Sequence, residues 1–234
     1  MEIVSCLDPS EYQDTTVIDA NPGTATSLQA ANALPGPGVF SRALYNHIAP
    51  KNHVLIDPAK KYRVVLEPLV KSSGGVVKYL DRNPWLFRSY SDFLDAGIIQ
   101  IDQKDPNEVN PSLLFVANLM DDNAWKSESL AAHLISFMHK QLFIYDYGRV
   151  RTWLWIQAPH WYPLFSPPGH KNRKKVSIMR ELICDARVLA YSGKLGSKTA
   201  RGEAPVFNSL EARDLRTSMF YPSVFLPNKR PLTV

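Results

Sequence analysis

Short apolar runs alternate with longer stretches of helical spacing along this chain. Thr16 to Asp19 is a short apolar strand, Val54-Leu55-Ile56 a second, and Val76-Val77-Lys78-Tyr79-Leu80, after Gly74-Gly75, a third. Leu113-Leu114-Phe115-Val116-Ala117-Asn118 is unbroken, as in a strand buried on both faces. Between them, Val39 to Ile48 reads as a helix with Val39, Leu44 and Ile48 on one side. Tyr62 to Val70 carries Tyr62, Val65, Leu66 and Leu69 at the same spacing. Ser127 to Phe143 is the strongest helix, with Leu130, Leu134, Phe137, Met138 and Leu142 as its apolar stripe. Residues 81 to 111 are polar and irregular, with a short helix around Tyr90 to Leu94. Val150 to Ile156 fits a strand or a buried helical turn, Val176 to Cys184 a helix, and Arg187 to Tyr191 a strand. This alternation predicts an α/β fold: a mostly parallel sheet with helices on both faces.

Length and composition narrow the class. A chain of 234 residues holds one large α/β domain with little left for a second. Hydrophobic residues at 45% supply a core, and 11% aromatics with five Trp argue against disorder. Two cysteines, Cys6 and Cys184, make neither a disulfide framework nor a metal site, and Cys184 reads as a buried small hydrophobe. No apolar run reaches the length of a membrane span, so no membrane partner is expected. The first residues lack both a secretory signal and the Arg-rich pattern of a transit peptide. The net charge of +5 suits a nucleic-acid partner without requiring one. The Gly-, Ser- and Lys-rich residues 192 to 211 read as a mobile surface loop.

The candidate chemistry begins at Val17-Ile18-Asp19-Ala20-Asn21-Pro22-Gly23, which ends a strand at a glycine and then restarts at Pro37-Gly38-Val39-Phe40-Ser41. Joining Gly23 to Pro37 gives a strand, a Gly-x-Gly turn and a helix start, the shape of a nucleotide-cofactor loop. Residues 24–36 then read as a 13-residue insertion. An ordinary strand-to-helix turn accounts for the same glycines. Asp57 closes the second strand, where a carboxylate in such folds accepts from both ribose hydroxyls; an Asp-Pro turn is its plain alternative. Asn118 ends the central strand at the edge where such sheets bind ligands, or is a strand cap. Asp121-Asp122 fits a helix start better than metal or acid-base chemistry. The six His are scattered without ligand spacing. His170 to Lys175, with Arg173, Lys174 and Lys175, is a basic run downstream of Trp161 and Tyr162. Cations interleaved with aromatics neutralise and stack single-stranded nucleic acid, while the alternative is a solvated face.

These residues carry a resemblance. The segments 17–23, 38–44 and 53–58 resemble the rRNA adenine N6-dimethyltransferase family, and more closely its fungal branch containing mitochondrial transcription factor B. Ser112 to Leu119 resembles the fourth motif of that branch, and Tyr147 to Arg151 and Arg173 to Cys184 extend the likeness. Phe225 to Leu232 is similar to the proline-bearing last strand of the family's catalytic domain.

The resemblance implies a Rossmann-like S-adenosylmethionine methyltransferase fold in a single domain over residues 1–234, without the family's small C-terminal helical domain. Asp19, Asn21, Gly23 and Gly38 would line the methionine part of the cofactor, Asp57 would hold its ribose, and Asn118 would accept from the target adenine's amino group. Asn118 and Leu119 open the family's Asn-Leu-Pro-aromatic motif, but Met120 and Asp121 stand where the proline and the stacking aromatic belong. A carboxylate does not stack on a flipped base. The expected function is therefore that of a mitochondrial protein that assists the mitochondrial RNA polymerase on promoter DNA. An rRNA adenine dimethyltransferase is the second reading. A nicotinamide enzyme fits less well, because no complete Gly-x-Gly-x-x-Gly is present.

Overall fold

A computed structural model describes Val4 and residues 7–23, 38–86, 88–119, 127–156, 163–188, 190–191, 213–214 and 221–227. Five strands run parallel: β1 (Thr16–Ala20), β2 (Asn52–Ile56), β3 (Val77–Leu80), β4 (Val109–Asn118) and β5 (Arg149–Ile156). After β6 (Cys184–Val188), a small two-stranded sheet pairs β7 (Ala190–Tyr191) with β8 (Arg213–Asp214). The last strand, β9 (Tyr221–Pro227), inserts antiparallel between β5 and β6. The main sheet therefore has the order β3-β2-β1-β4-β5-β9-β6. The chain winds outward from β1 to β3 and then returns to β4 on the other side of β1. That reversal leaves a crevice at the carboxyl ends of β1 and β4.

Every residue of β1 is buried. Its alternate positions feed two cores, as a sheet covered on both faces requires. Ile18 and Ala20 join Val54, Ile56, Leu113, Phe115 and Leu154 beneath α3 (Arg88–Asp95) and α4 (Ser127–Lys140). On the other face Val17, Leu114, Val116 and Trp153 meet Leu44 and Ile48 of α1 (Val39–Ile48). Beside them, Leu55 and Val77 meet Leu66 and Leu69 of α2 (Lys60–Ser72). The face expected of α1 is thus largely right, but Val39 is 44% exposed and Ser41 takes the buried position. Cys184 is buried with its Sγ 3.3 Å from Met138 Sδ, and burial pushes its thiol up to about 12. It behaves as a small hydrophobe.

Three boundaries differ from the sequence reading for identifiable reasons. The long helix stops at Lys140 rather than Phe143, because Gln141 takes a left-handed φ of 52°. The Leu142 amide then donates back to Phe137 O at 3.0 Å, closing a Schellman-type end. β4 starts four residues early but shifts register between Asn110 and Leu114, where Pro111 has no N–H to give the ladder. Asn110 fills the gap, donating to Asp102 O and Tyr147 O and accepting from Ser112. The strand expected at Arg187–Tyr191 begins at Cys184, as soon as α5 (Lys175–Ile183) ends. The expected loop at 192–211 and the segment 24–36 lie outside the described residues.

The base of that segment is nevertheless defined. The Gly38 amide donates to Pro22 O at 3.0 Å, so the chain leaves and re-enters the loop at one point. With residues 24–36 removed, the same bond would join the first and fourth of four consecutive residues, as in a β-turn. The shortened chain is expected to fold and to gain roughly 1–2 kcal/mol from the smaller loop closure. Thermal unfolding of the two forms checks this, and a large fall in the midpoint would show that the segment is part of the core.

Candidate functional site

The register of the sheet assembles the site. Ala20 pairs with Ile56 of β2 and with Ala117 of β4, so those three residues form one row. The next residue of each strand, Asn21, Asp57 and Asn118, therefore emerges side by side at the carboxyl edge. Gly23 and Gly38 meet at the same edge through the Gly38–Pro22 bond. Six residues read from the sequence as a cofactor site, Asp19, Asn21, Gly23, Gly38, Asp57 and Asn118, thus lie along one border. Leu119 follows, 2% exposed, with its amide donating to Trp155 O at 2.9 Å.

The two carboxylates of this site hold hydrogen bonds within the protein. Asp57 is 1% exposed. Its Oδ2 accepts from the Gly23 amide at 3.0 Å and its Oδ1 from the Ala59 amide at 2.8 Å. Its carbonyl accepts from the Tyr79 hydroxyl at 2.6 Å. Burial, then the charges of Asp57 and Asp81, push that phenol up to about 12, so it remains a donor at any physiological pH. Asn21 sits at φ 58°, a left-handed conformation that Asn tolerates, and donates its amide to Ile56 O. Asp19 points below the edge toward α1. Its Oδ2 accepts from Ser41 Oγ at 2.6 Å and lies 3.4 Å from His53 Nε2. Asp19, Ser41 and His53 are all buried, and His53 Nδ1 finds no partner among the described residues.

Both glycines are spent on α2. A Cβ on Gly23 would lie 2.3 Å from Tyr62 Cβ, and one on Gly38 would lie 2.6 Å from Leu66 Cδ2. Gly38 also holds φ 74°, which a side chain would strain. Tyr62 and Leu66 are four apart, one turn of the same helix face. Here the two glycines serve close approach of a helix, one of the roles glycine plays in this class of loop.

The basic run downstream is organised differently. Arg173 forks onto Glu181 at 2.8 and 2.5 Å and also donates to Ser166 O at 2.8 Å. Arg180 donates to Leu164 O at 3.1 Å. Arg173 thereby fastens the 163–174 loop to α5, leaving Lys174 and Lys175 exposed beside it. Trp161, Tyr162, Met120 and Asp121 lie outside the described residues. Ser41, His53 and Tyr62 do not stand out as site residues in the sequence. A His opening the apolar strand His53-Val54-Leu55-Ile56 was the available signal for the first pair, since a buried His needs a partner.

A family model described as ribosomal RNA adenine dimethylase matches residues 1–229. The chain belongs to the ribosomal RNA adenine dimethylase family. Mitochondrial transcription factor 1 of Saccharomyces cerevisiae is 26% identical over 166 residues, covering 70% of this chain and 47% of that protein. The protein of the same name from Lachancea kluyveri is 22% identical over 188 residues, covering 78% and 54%. The chain spans about half the length of the curated relatives it matches. A dimethyladenosine transferase from Plasmodium falciparum superposes with a TM-score of 0.52 at 11% identity, covering 97% of this chain and 61% of that one. With the strand order above, that superposition confirms a Rossmann-like methyltransferase fold.

Within this family fold, Asp57 stands where the ribose of an adenosyl methyl donor would be held, and it also braces the loop beside it. The carboxylate that would take both ribose hydroxyls is buried, and each of its oxygens already holds a backbone N–H. The first glycine's freedom is taken up by Tyr62. Gly23→Ala is therefore expected to destabilise the fold by about 1–3 kcal/mol through overpacking against α2. Urea unfolding with no ligand present checks it, and an unchanged midpoint would refute the packing role. Asp19→Ala, which strands Ser41 and His53 in the core, is expected to cost about 3 kcal/mol in the same measurement.

Proposed function

We propose that this chain is a mitochondrial transcription factor built on a methyltransferase fold, working by binding nucleic acid rather than by transferring methyl groups. It joins the mitochondrial RNA polymerase at promoters and holds melted DNA. The observation that carries this reading is the match to mitochondrial transcription factors over 70–78% of the chain, on the methyltransferase fold described above. The names of the relatives from S. cerevisiae and L. kluyveri support the mitochondrial and transcriptional parts. The sequence after Asn118-Leu119 points the same way. Met120 and Asp121 provide no aromatic platform, and methyl transfer depends on holding the adenine nitrogen in line with the methyl carbon.

The reading includes one domain over residues 1–234, with residues 24–36 as an insertion on a closed loop base and residues 192–211 as a surface loop. Trp161 and Tyr162 offer faces for unpaired bases, and Lys174 and Lys175 offer charge to phosphates. Arg173 contributes by holding that loop to α5. S-adenosylmethionine-dependent dimethylation of rRNA is the second reading. It is favoured by the family match and by the alignment of Asp19, Asn21, Asp57 and Asn118 along one edge.

The deciding experiment incubates the purified chain with labelled S-adenosylmethionine and small-subunit rRNA, and in parallel titrates it into single-stranded promoter DNA. No dimethyladenosine and salt-sensitive DNA binding are expected. Dimethyladenosine formed at about one turnover per second would establish the second reading instead. Trp161→Ala is expected to cost roughly 1–3 kcal/mol of DNA affinity, the value of one stacked base.

A further inference from the structure

We infer that the exposed face of α2 is a second, sequence-independent contact for the phosphate backbone of nucleic acid. The inference rests on the nucleic-acid reading above and adds a site to it. α2 holds Lys60, Lys61, Arg63 and Lys71 against the single carboxylate of Glu67, a net of +3 in 13 residues, while the whole chain carries +5. Glu67 is paired with Lys71 at 3.2 Å, one turn away. No ion pair neutralises Lys60, Lys61 or Arg63 among the described residues, and all three are exposed. Asp57 next to them is buried, and the exposed Asp81 at the end of β3 is outnumbered.

Their position is adverse for the isolated protein. All three sit in or beside the first turn of α2, which contains no acidic residue. The aligned peptide dipoles already make that end of a helix positive, so cations there oppose folding and carboxylates favour it. Such an exposed, unneutralised cluster complements the dense negative charge of a phosphate backbone. Two rings hold the cations outward. Lys61 Nζ lies 4.7 Å from the centroid of the Tyr62 ring, and the Arg63 guanidinium 5.8 Å from that of Tyr79. With those rings half-buried and each engaged by a cation, the surface offers charge to phosphates rather than a stacking platform to bases. Phosphate contacts position a nucleic acid without reading its sequence.

The test compares the full chain with its Lys60→Ala, Lys61→Ala, Arg63→Ala triple variant. Binding of a fluorescein-labelled single-stranded DNA is followed by anisotropy across a range of salt concentrations. Each phosphate that is no longer neutralised should lower the log-log salt slope by about 0.7, so the variant's slope should fall by about 2. Between roughly 50 and 200 mM salt the parent's affinity should then drop by about 20-fold more than the variant's. The effect should be the same for DNAs of different sequence. The thermal midpoint of the variant should equal or exceed the parent's, because removing cations from the first turn relieves the helix; a merely structural role would lower it. Lys71→Ala, whose charge is already matched by Glu67, serves as the control and should change little. If parent and triple variant share one slope, α2 is not a contact and the inference fails while the nucleic-acid reading stands. If the parent itself does not bind the DNA, that reading fails and this inference with it.

Discussion

The register of one buried strand governs this molecule. β1 is five residues long, enclosed by β2 and β4 and covered on both faces, so it has no freedom to slide. Side chains alternate with a period of two. A slip of one residue would carry Asp19 away from Ser41 and His53 and turn Val17 out of its core. The same register fixes the row from which Asn21, Asp57 and Asn118 leave the sheet. The edge of the fold where ligands ordinarily bind is thus determined by packing far below it.

The polar groups at that edge also hold the fold together. Groups aimed at a ligand are normally left with unmet hydrogen-bonding capacity, which weakens the apo protein. Here part of that capacity is met from within: Asp57 takes two backbone amides, and Tyr79 secures the Asp57 carbonyl. Each such bond stabilises the fold by about 1 kcal/mol. Asp57 thereby braces the loop beside it, and the helix that follows turns its charge toward solvent.

Much of this was legible in the sequence, and the rest was hidden for specific reasons. Leu44 and Ile48 of the first helix and the run Leu113 to Asn118 declared themselves because local periodicity and burial agree there. The six residues of the carboxyl edge are visible from sequence, since strands end where apolar runs stop. What those residues do could not be read, because it depends on partners distant in the chain. Asp19 meets Ser41 and His53 at separations of 22 and 34 residues. Gly23 has the look of a cofactor glycine, and only the fold brings Tyr62 against it. The basic run gives up Arg173 to Glu181, eight residues away across a loop, a pairing that no charge count reveals. The end of the long helix was hidden because Gln141, and not a glycine, adopts the left-handed turn.

The bond between the Gly38 amide and the Pro22 carbonyl has a practical meaning beyond the loop it closes. A chain that exits and re-enters at one point transmits little of what lies between to the sheet beneath. New termini could be cut there, or a reporter domain threaded in, with the flanking strand and helix still joined across the gap. Such a junction is a natural socket in the scaffold, placed at the border where sheets of this kind ordinarily receive their ligands.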